Sequence, residues 1–579
     1  MSESERPNRT ALYAILGFGL LALVVSVVVV FALIPKGASE LDEPTVLKIT
    51  LDGGYSDAPV DDPLADFGLS EGSDSLYDVV RGIEHAAGDE NVAALRLDIR
   101  SPSMGFAQMQ EIALAVAKVR EAGKPVISHI EADMVTNGRY FLASTADELW
   151  ATPQAFWLVQ GLHADVEFFR GILDKLQIKP DIIMFKEYKS AGERLLNKEM
   201  SEPMREALTA VLGDIQRLWI EHVAERRELS VEAVTAFVDE GAIPPEAAEE
   251  LGLVDRFGHH DELDEVLRER LELEEYEQIK LSEYLKTIAG PESDDRIALV
   301  FGEGPIVADE SDESNPFVDN STIYGPKLAR SIRNAAKKDR VKAIVLRVNS
   351  PGGSAVGSDL VWREIERAQE SGKVVVVSMS SVAGSGGYWI SMGADAIVAH
   401  PATITGSIGV VFTKLNVRGL YEWLGASVDT VKFAENSDLM SPFSSLDDAQ
   451  YAKLESIIGT MYGNFVTKVA EGRGLTFDEV EPIAHGRIWS GEDALDLKLV
   501  DQLGGLSDAV ALAAEKSGVD PETTDVEVFP EARSMWQRLT DGDFSTTTPS
   551  QPSTAEVRAW IEQLAEPRAS VRMPNVRIY

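Results

Sequence analysis

The 579-residue sequence contains no cysteine. Disulfides, thiolate nucleophiles and cysteine-held zinc are therefore excluded, although the compartment stays open. Histidine is sparse as well, with eight residues and none in an HExxH pattern. His259 and His260 stand in a charged stretch and read as exposed surface, so neither a metal nor a cofactor is expected. Basic side chains are outnumbered, 54 Lys and Arg against 95 Asp and Glu, for a formal charge of -41. Such a field repels phosphate backbones and anionic headgroups, which argues against a nucleic-acid partner and reads as a solvated acidic surface.

Charge is missing altogether from ALYAILGFGLLALVVSVVVVFALI, residues 11–34, a run long enough to span a bilayer. A cleavable signal peptide has a shorter apolar core, and no small-x-small site precedes the acidic residues from Glu40 to Glu43. An uncleaved anchor is expected, with residues 1–10 as an N-terminal tail and 35–45 as a spacer. Arg6 and Arg9 precede the run and Lys36 follows it, so the positive-inside bias places the bulk of the chain outside.

The remainder is a tandem duplication. VAALRLDIRSPSMG from Val92 aligns with VKAIVLRVNSPGGS from Val341 at an offset of 249. NGRYFLASTADELWATP from Asn137 aligns with SGGYWISMGADAIVAHP from Ser385 at an offset of 248. AIPPEAAEELGLVD from Ala242 aligns with IWSGEDALDLKLVD from Ile488 at an offset of 246. Each copy alternates apolar strand candidates, such as VVVVSM at 374–379, with helical patterns, such as DLVWREIERAQES at 359–371. That alternation predicts an α/β fold of βα units on a mostly parallel sheet, with ligand chemistry at the carboxyl ends of the strands. The repeats are expected at 46–290 and 296–530, divided by the polar GPESDDR. Residues 531–579 read as a linker, including DFSTTTPSQPST at 543–554, and a C-terminal tail.

The copies diverge at three loop positions. Ser385, in AGSGGYW, stands opposite Asn137; Gly352 and Gly353, in NSPGG, stand opposite Ser103 and Met104; Lys189, in YKSA, stands opposite Ser437. The second copy thus holds a serine and a glycine pair, and the first holds a lysine. A serine hydroxyl needs a base before it can attack, and a lysine serves if burial lowers its pKa. Consecutive glycines let backbone N–H groups approach an oxyanion. Any one of these motifs alone has an ordinary structural explanation in a turn, in close packing or in a solvated lysine. Their joint presence, each lost from the other copy, points to acyl transfer.

The motifs YKSA (188–191), NSPGG (349–353), GSGGYW (384–389) and TGSIG (405–409) resemble those of the long, duplicated signal peptide peptidase A family. The resemblance implies a crotonase/Clp-protease-like fold in each repeat and a membrane-anchored serine endopeptidase with Ser385 as nucleophile and Lys189 as general base. It further implies Gly352 and Gly353 as the oxyanion hole and Ser407 as the residue that orients the lysine. Also implied are a homotetramer, residual hydrophobic signal peptides as substrates, and a single-pass place in a bacterial inner membrane with both repeats on its outer side. Two positions depart from the family pattern: Lys498 replaces a glycine before Leu-Val-Asp, and Arg139 replaces the second glycine of the first-copy turn. The alternatives are a coenzyme A thioester enzyme of the crotonase type and an inactive membrane-tethered scaffold.

Overall fold

The computed structural model describes residues 44–59, 74–272, 276–288, 293–309, 322–520, 524–530, 568–572 and 577–578. The anchor expected at 11–34, the linker at 543–554 and the divider around 290 lie outside the described residues. Among the described residues no helix is long and apolar enough to cross a membrane.

Two sheets carry the molecule, and one strand order describes both. The first is Glu277–Lys280, Thr45–Gly54, Val92–Ser103, Val126–Ile130, Glu148–Ala151, Arg256–Phe257, parallel throughout. The second repeats it as Asp525–Phe529, Arg296–Glu303, Val341–Ser350, Val374–Gly384, Ala396–Ala399, Gln502–Leu503, again parallel. Each strand of the first sheet has its aligned partner at the same place in the second, which adds Ile404–Gly406 and Ile488–Ser490, so the duplication seen in the sequence is a duplication of topology. Strands such as VVVVSM are buried on both faces, as apolar runs covered by helices on either side must be. Each sheet is backed by its own large apolar cluster, one around Leu97, Ile130 and Tyr140, the other around Val348, Val377 and Tyr388.

One departure from the first sheet matters for chemistry. Past Met379, the long strand Val374–Gly384 changes neighbours and pairs Val382, Ala383 and Gly384 with Ile404, Thr405 and Gly406. This extension carries the chain to Ser385 and holds the TGSIG segment beside it.

Two devices join the repeats. Lys179–Met184, a strand of the first repeat, crosses to pair antiparallel with Val411–Asn416 of the second, from Met184 opposite Val411 to Lys179 opposite Asn416. The second device is a buried charge network. The Arg347 guanidinium meets Asp57 at 3.0 Å and Glu111 at 2.7 Å, and His400 Nε2 lies 2.8 Å from the same Glu111 carboxylate. Arg347 and His400 hold the Glu111 carboxyl far below its usual range despite the burial that opposes ionisation. Asp57 and Glu111 come from the first repeat and Arg347 and His400 from the second, so separating the repeats would strand buried charges.

Removing one member of such a network leaves the others unpaired in a dry interior. Arg347→Ala is expected to lower stability by about 3–5 kcal/mol in denaturant unfolding. Arg363→Ala, which breaks only exposed pairs with Glu366 and Glu370, is expected to leave the unfolding midpoint nearly unchanged.

Candidate active site

Ser385 follows the last residue of the strand Val374–Gly384 and caps the one-turn helix Gly386–Trp389. Its backbone sits at φ 59° and ψ -112°, a conformation that costs energy for a residue with a side chain. The surroundings hold it there: its N–H donates to Gly406 O at 2.8 Å, and its carbonyl accepts from Trp389 N–H at 2.9 Å. The side chain is fully buried.

Lys189 arrives on the crossover strand. After Met184 the chain stays docked on the second repeat, with Phe185 N–H donating to Val410 O at 3.1 Å and Tyr188 N–H to His485 O at 3.1 Å. Lys189 is 1% exposed, and its Nζ lies 2.6 Å from Ser385 Oγ. Two further partners complete the amine, Ser407 O at 2.9 Å and Ser407 Oγ at 3.1 Å. All three are uncharged oxygens. Burial, with no carboxylate to offset it, pushes the Lys189 amine well below its usual pKa.

The turn Gly352–Ser354 lies against the serine. A Cβ on Gly353 would fall 2.0 Å from Ile306 O, so only glycine lets this strand approach its neighbour. A Cβ on Gly386 would stand 3.0 Å from Gly353 N, which measures how closely the two turns face each other. Gly352 N–H donates to Ser350 Oγ at 3.2 Å. Gly386 N–H, at the first turn of its helix, has no intrahelical partner.

The structure therefore brings Ser385, Lys189, Ser407 and the Gly352–Gly353 turn into one place. It also shows what the first copy did with the same positions. Asn137 accepts from Gln160 N–H at 2.9 Å and donates to Gln160 O at 2.5 Å, and Arg139 donates to Met134 O and Ser101 Oγ. Polar side chains close the first-copy turn on itself. Ser437, the counterpart of Lys189, is exposed and bonds only its own turn, at Ala434 O. Lys498 has φ 60°, which accounts for glycine being the usual residue there.

Sequence reasoning missed Gly486. A Cβ there would lie 2.6 Å from Lys189 Cα, so this glycine makes room for the lysine. It belongs to AHGRIW, which differs from the aligned first-copy segment, but nothing local marks it as a neighbour of a residue so far away in sequence. His260 corrects the reading of an exposed pair: only His259 is exposed, while His260 is half-buried against Arg96 and the His129 ring. Among the described residues, Asp98, His129 and His260 are the one trio close enough to share an ion, and the Arg96 guanidinium already occupies Asp98 and His260.

The model of peptidase family S49 matches residues 118–274 and 367–520, once in each repeat. The chloroplastic serine protease SPPA of Arabidopsis thaliana is 33% identical over 453 residues, covering 77% of this chain and 66% of that protein. Protease 4 of Salmonella typhi is 34% identical over 461 residues, covering 76% of this chain and 72% of that protein. Among solved structures, a variant of a membrane-bound stomatin-specific protease aligns at 12% identity and a TM-score of 0.26, over 41% of this chain and 98% of its own. With a family match in both repeats and relatives aligned across most of the chain, this protein belongs to peptidase family S49, the signal peptide peptidase A family, and is a serine-type endopeptidase.

Proposed function

We propose that the endopeptidase works through a Ser385–Lys189 dyad and an acyl-enzyme. The observation that carries the reading is the 2.6 Å contact between Lys189 Nζ and Ser385 Oγ in a site that offers the amine only neutral oxygens. A neutral amine has two N–H bonds and one lone pair. Directing the N–H groups at Ser407 leaves the lone pair for the serine proton, which is how Ser407 orients the base.

Ser385 Oγ attacks the scissile carbonyl carbon as its proton moves to Lys189 Nζ. The oxyanion is held by N–H groups of the Gly352–Gly353 turn together with Gly386 N–H; for Gly352 to serve, it must leave Ser350 Oγ. Collapse breaks the C–N bond, and Lys189 returns the proton to the departing amine. Water then attacks the ester, Lys189 takes its proton, and Ser385 leaves reprotonated. A coenzyme A thioester enzyme has no use for this pair, and an inactive scaffold has no reason to keep it.

The anchor at 11–34 and the family's substrates combine into a membrane-tethered protease whose repeats lie outside the cytoplasm and cut residual hydrophobic signal peptides. Assembly into a tetramer draws support from a broken symmetry. The first-copy strand Lys179–Met184 pairs across the repeats, whereas its second-copy counterpart, 427–432, belongs to no strand. Around it Val431 is 79% exposed and Phe433 97%. Exposed apolar groups of this kind mark a contact surface, here for a neighbouring copy's first repeat.

Four outcomes test these readings. Activity against a peptide ester should rise with pH to a plateau, with a midpoint well below the usual lysine value, because the base must be unprotonated. Lys189→Arg should lose roughly 10²–10⁴-fold in kcat at every pH, since guanidinium stays charged. A phosphonate should label Ser385 once per chain, by peptide mass mapping, and Asn137→Ser should add no second label. Sedimentation should show the Val431→Glu, Phe433→Glu double variant as a smaller species than the wild type.

A further inference from the structure

Gly486, the glycine that makes room for Lys189, stands between two residues that the dyad chemistry does not use. The copies differ here as they do at the site itself. Carried back at the offset of 246, His485, Gly486 and Arg487 fall opposite Asp239, Glu240 and Gly241. Ser230 and Thr476 hold the same place in the two copies, and each caps a helix, accepting from Ala233 N–H and from Glu479 N–H. In the first copy that helix runs on through Val231–Glu240 and ends at Gly241. In the second it stops after Phe477–Val480 and gives way to a short turn, Glu481–Ile483, where Pro482 lacks the N–H that a longer helix would use. The shortened helix releases the chain to pass Lys189, with His485 at φ 50° and Gly486 at φ 81°.

The released residues hold two other segments through their backbone. Tyr188 N–H, one residue before the lysine, donates to His485 O at 3.1 Å. Gly486 N–H donates to Ile408 O at 2.8 Å, and Ser407 N–H donates to Arg487 O at 2.7 Å. The base and the serine that orients it thus hang on the same short stretch. Side chains add to the hold on the first repeat. His485 Nδ1 lies 2.9 Å from Glu187 Oε1, and its Nε2 lies 2.8 Å from Glu481 Oε1, which also accepts from Lys186 Nζ at 2.7 Å. Arg487 Nη1 donates to Glu206 Oε1 at 2.6 Å and to Tyr188 Oη at 3.2 Å, while Tyr188 Oη donates to Glu206 Oε2 at 2.9 Å. The Arg487 guanidinium also stands 5.0 Å from the centre of the Tyr188 ring and 4.4 Å from that of Trp489. The side chains of His485 and Arg487 are each 19% exposed, whereas Lys189 is 1% exposed, so this layer is the boundary between the lysine and solvent.

We propose that His485 and Arg487 are positioning residues for the Lys189–Ser407 pair, holding the lysine loop on either side of Gly486 and so fixing the amine at Ser385. The proposal rests on the dyad reading. Among the described residues, the other charged groups of the layer, Lys186, Glu187, Glu206 and Glu481, bond within it and not to Lys189. Loosening the layer lets water reach the amine, and hydration favours its protonated form. Ser385 then lacks a base at pH values where the intact protein has one.

The test follows the rate at which a phosphonate labels Ser385 as a function of pH, with the full chain in detergent, for the wild type, Arg487→Lys, His485→Asn and Arg217→Leu. Arg487→Lys keeps the positive charge and loses the planar group that meets both rings, so a shift in this variant does not come from lost charge. His485→Asn suits the left-handed backbone and is too short to span both carboxylates. Arg217→Leu breaks a pair with Glu492 of the second repeat, about three turns further along the helix Glu202–Arg226 that carries Glu206. In Arg487→Lys and His485→Asn the midpoint should rise by roughly one pH unit or more, which is about a tenfold loss of rate well below both midpoints, with the high-pH plateau within about threefold of wild type. Arg217→Leu should keep the wild-type midpoint even where it melts earlier. An unchanged midpoint in both Arg487→Lys and His485→Asn, or an equal rise in Arg217→Leu, overturns the positioning role and leaves the dyad standing. A wild-type protein that takes no label at Ser385 removes the dyad and the positioning role together.

Discussion

A lysine amine without charge compensation in a dry interior is the constraint on which the rest of this structure depends. Solvation by bulk water would favour the protonated amine, and a carboxylate would hold the proton there, so the resting site keeps both away from the nitrogen while still satisfying it. Ser407 meets that demand through its carbonyl and its hydroxyl, and Ser385 meets it through the oxygen that reacts. The strained backbone of Ser385 and the glycine beside Lys189 Cα follow from the same requirement, because the amine has to be enclosed without a gap.

Neither repeat can satisfy that constraint alone. Ser385, the glycine turn facing it and Ser407 belong to one copy, and the lysine belongs to the other. What keeps them in register is the antiparallel pairing of Lys179–Met184 with Val411–Asn416, backed by the ion network around Arg347. Such a network contributes little net stability compared with apolar packing, but it tolerates few alternative arrangements. It therefore fixes how the copies meet, and with that the distance between Lys189 and Ser385.

Much of this was legible in the sequence, because duplication supplies its own control. Asn137 against Ser385, Ser103-Met104 against Gly352-Gly353, and Ser437 against Lys189 each mark a position where one copy stopped doing what the other does. The duplicated βα alternation on a parallel sheet followed from the aligned apolar runs, whereas the strand order did not. Contacts between distant segments left no such mark. Asp57 and Glu111 are ordinary acidic residues in an acidic chain, and only the fold reveals that Arg347 of the other repeat lies between them. Gly486 looks like any turn glycine until Lys189 is placed against it. His260 reads as surface because its neighbours in sequence are charged, while its neighbours in space are His129 and Arg96. The segment at 568–572 offers only five residues, too few for a period to show, and its role as a strand comes entirely from the two edges that receive it.

The crossover strand also sets an order in time. A ribosome delivers the first repeat, with its lysine, well before the serine that the lysine serves, and the acceptor strand Val411–Asn416 follows later still. Until that strand has emerged and folded, the growing chain holds Lys189 without the partners it has in the finished fold. Lys189 and Ser385 can therefore meet only after the second repeat has been made at least as far as Asn416.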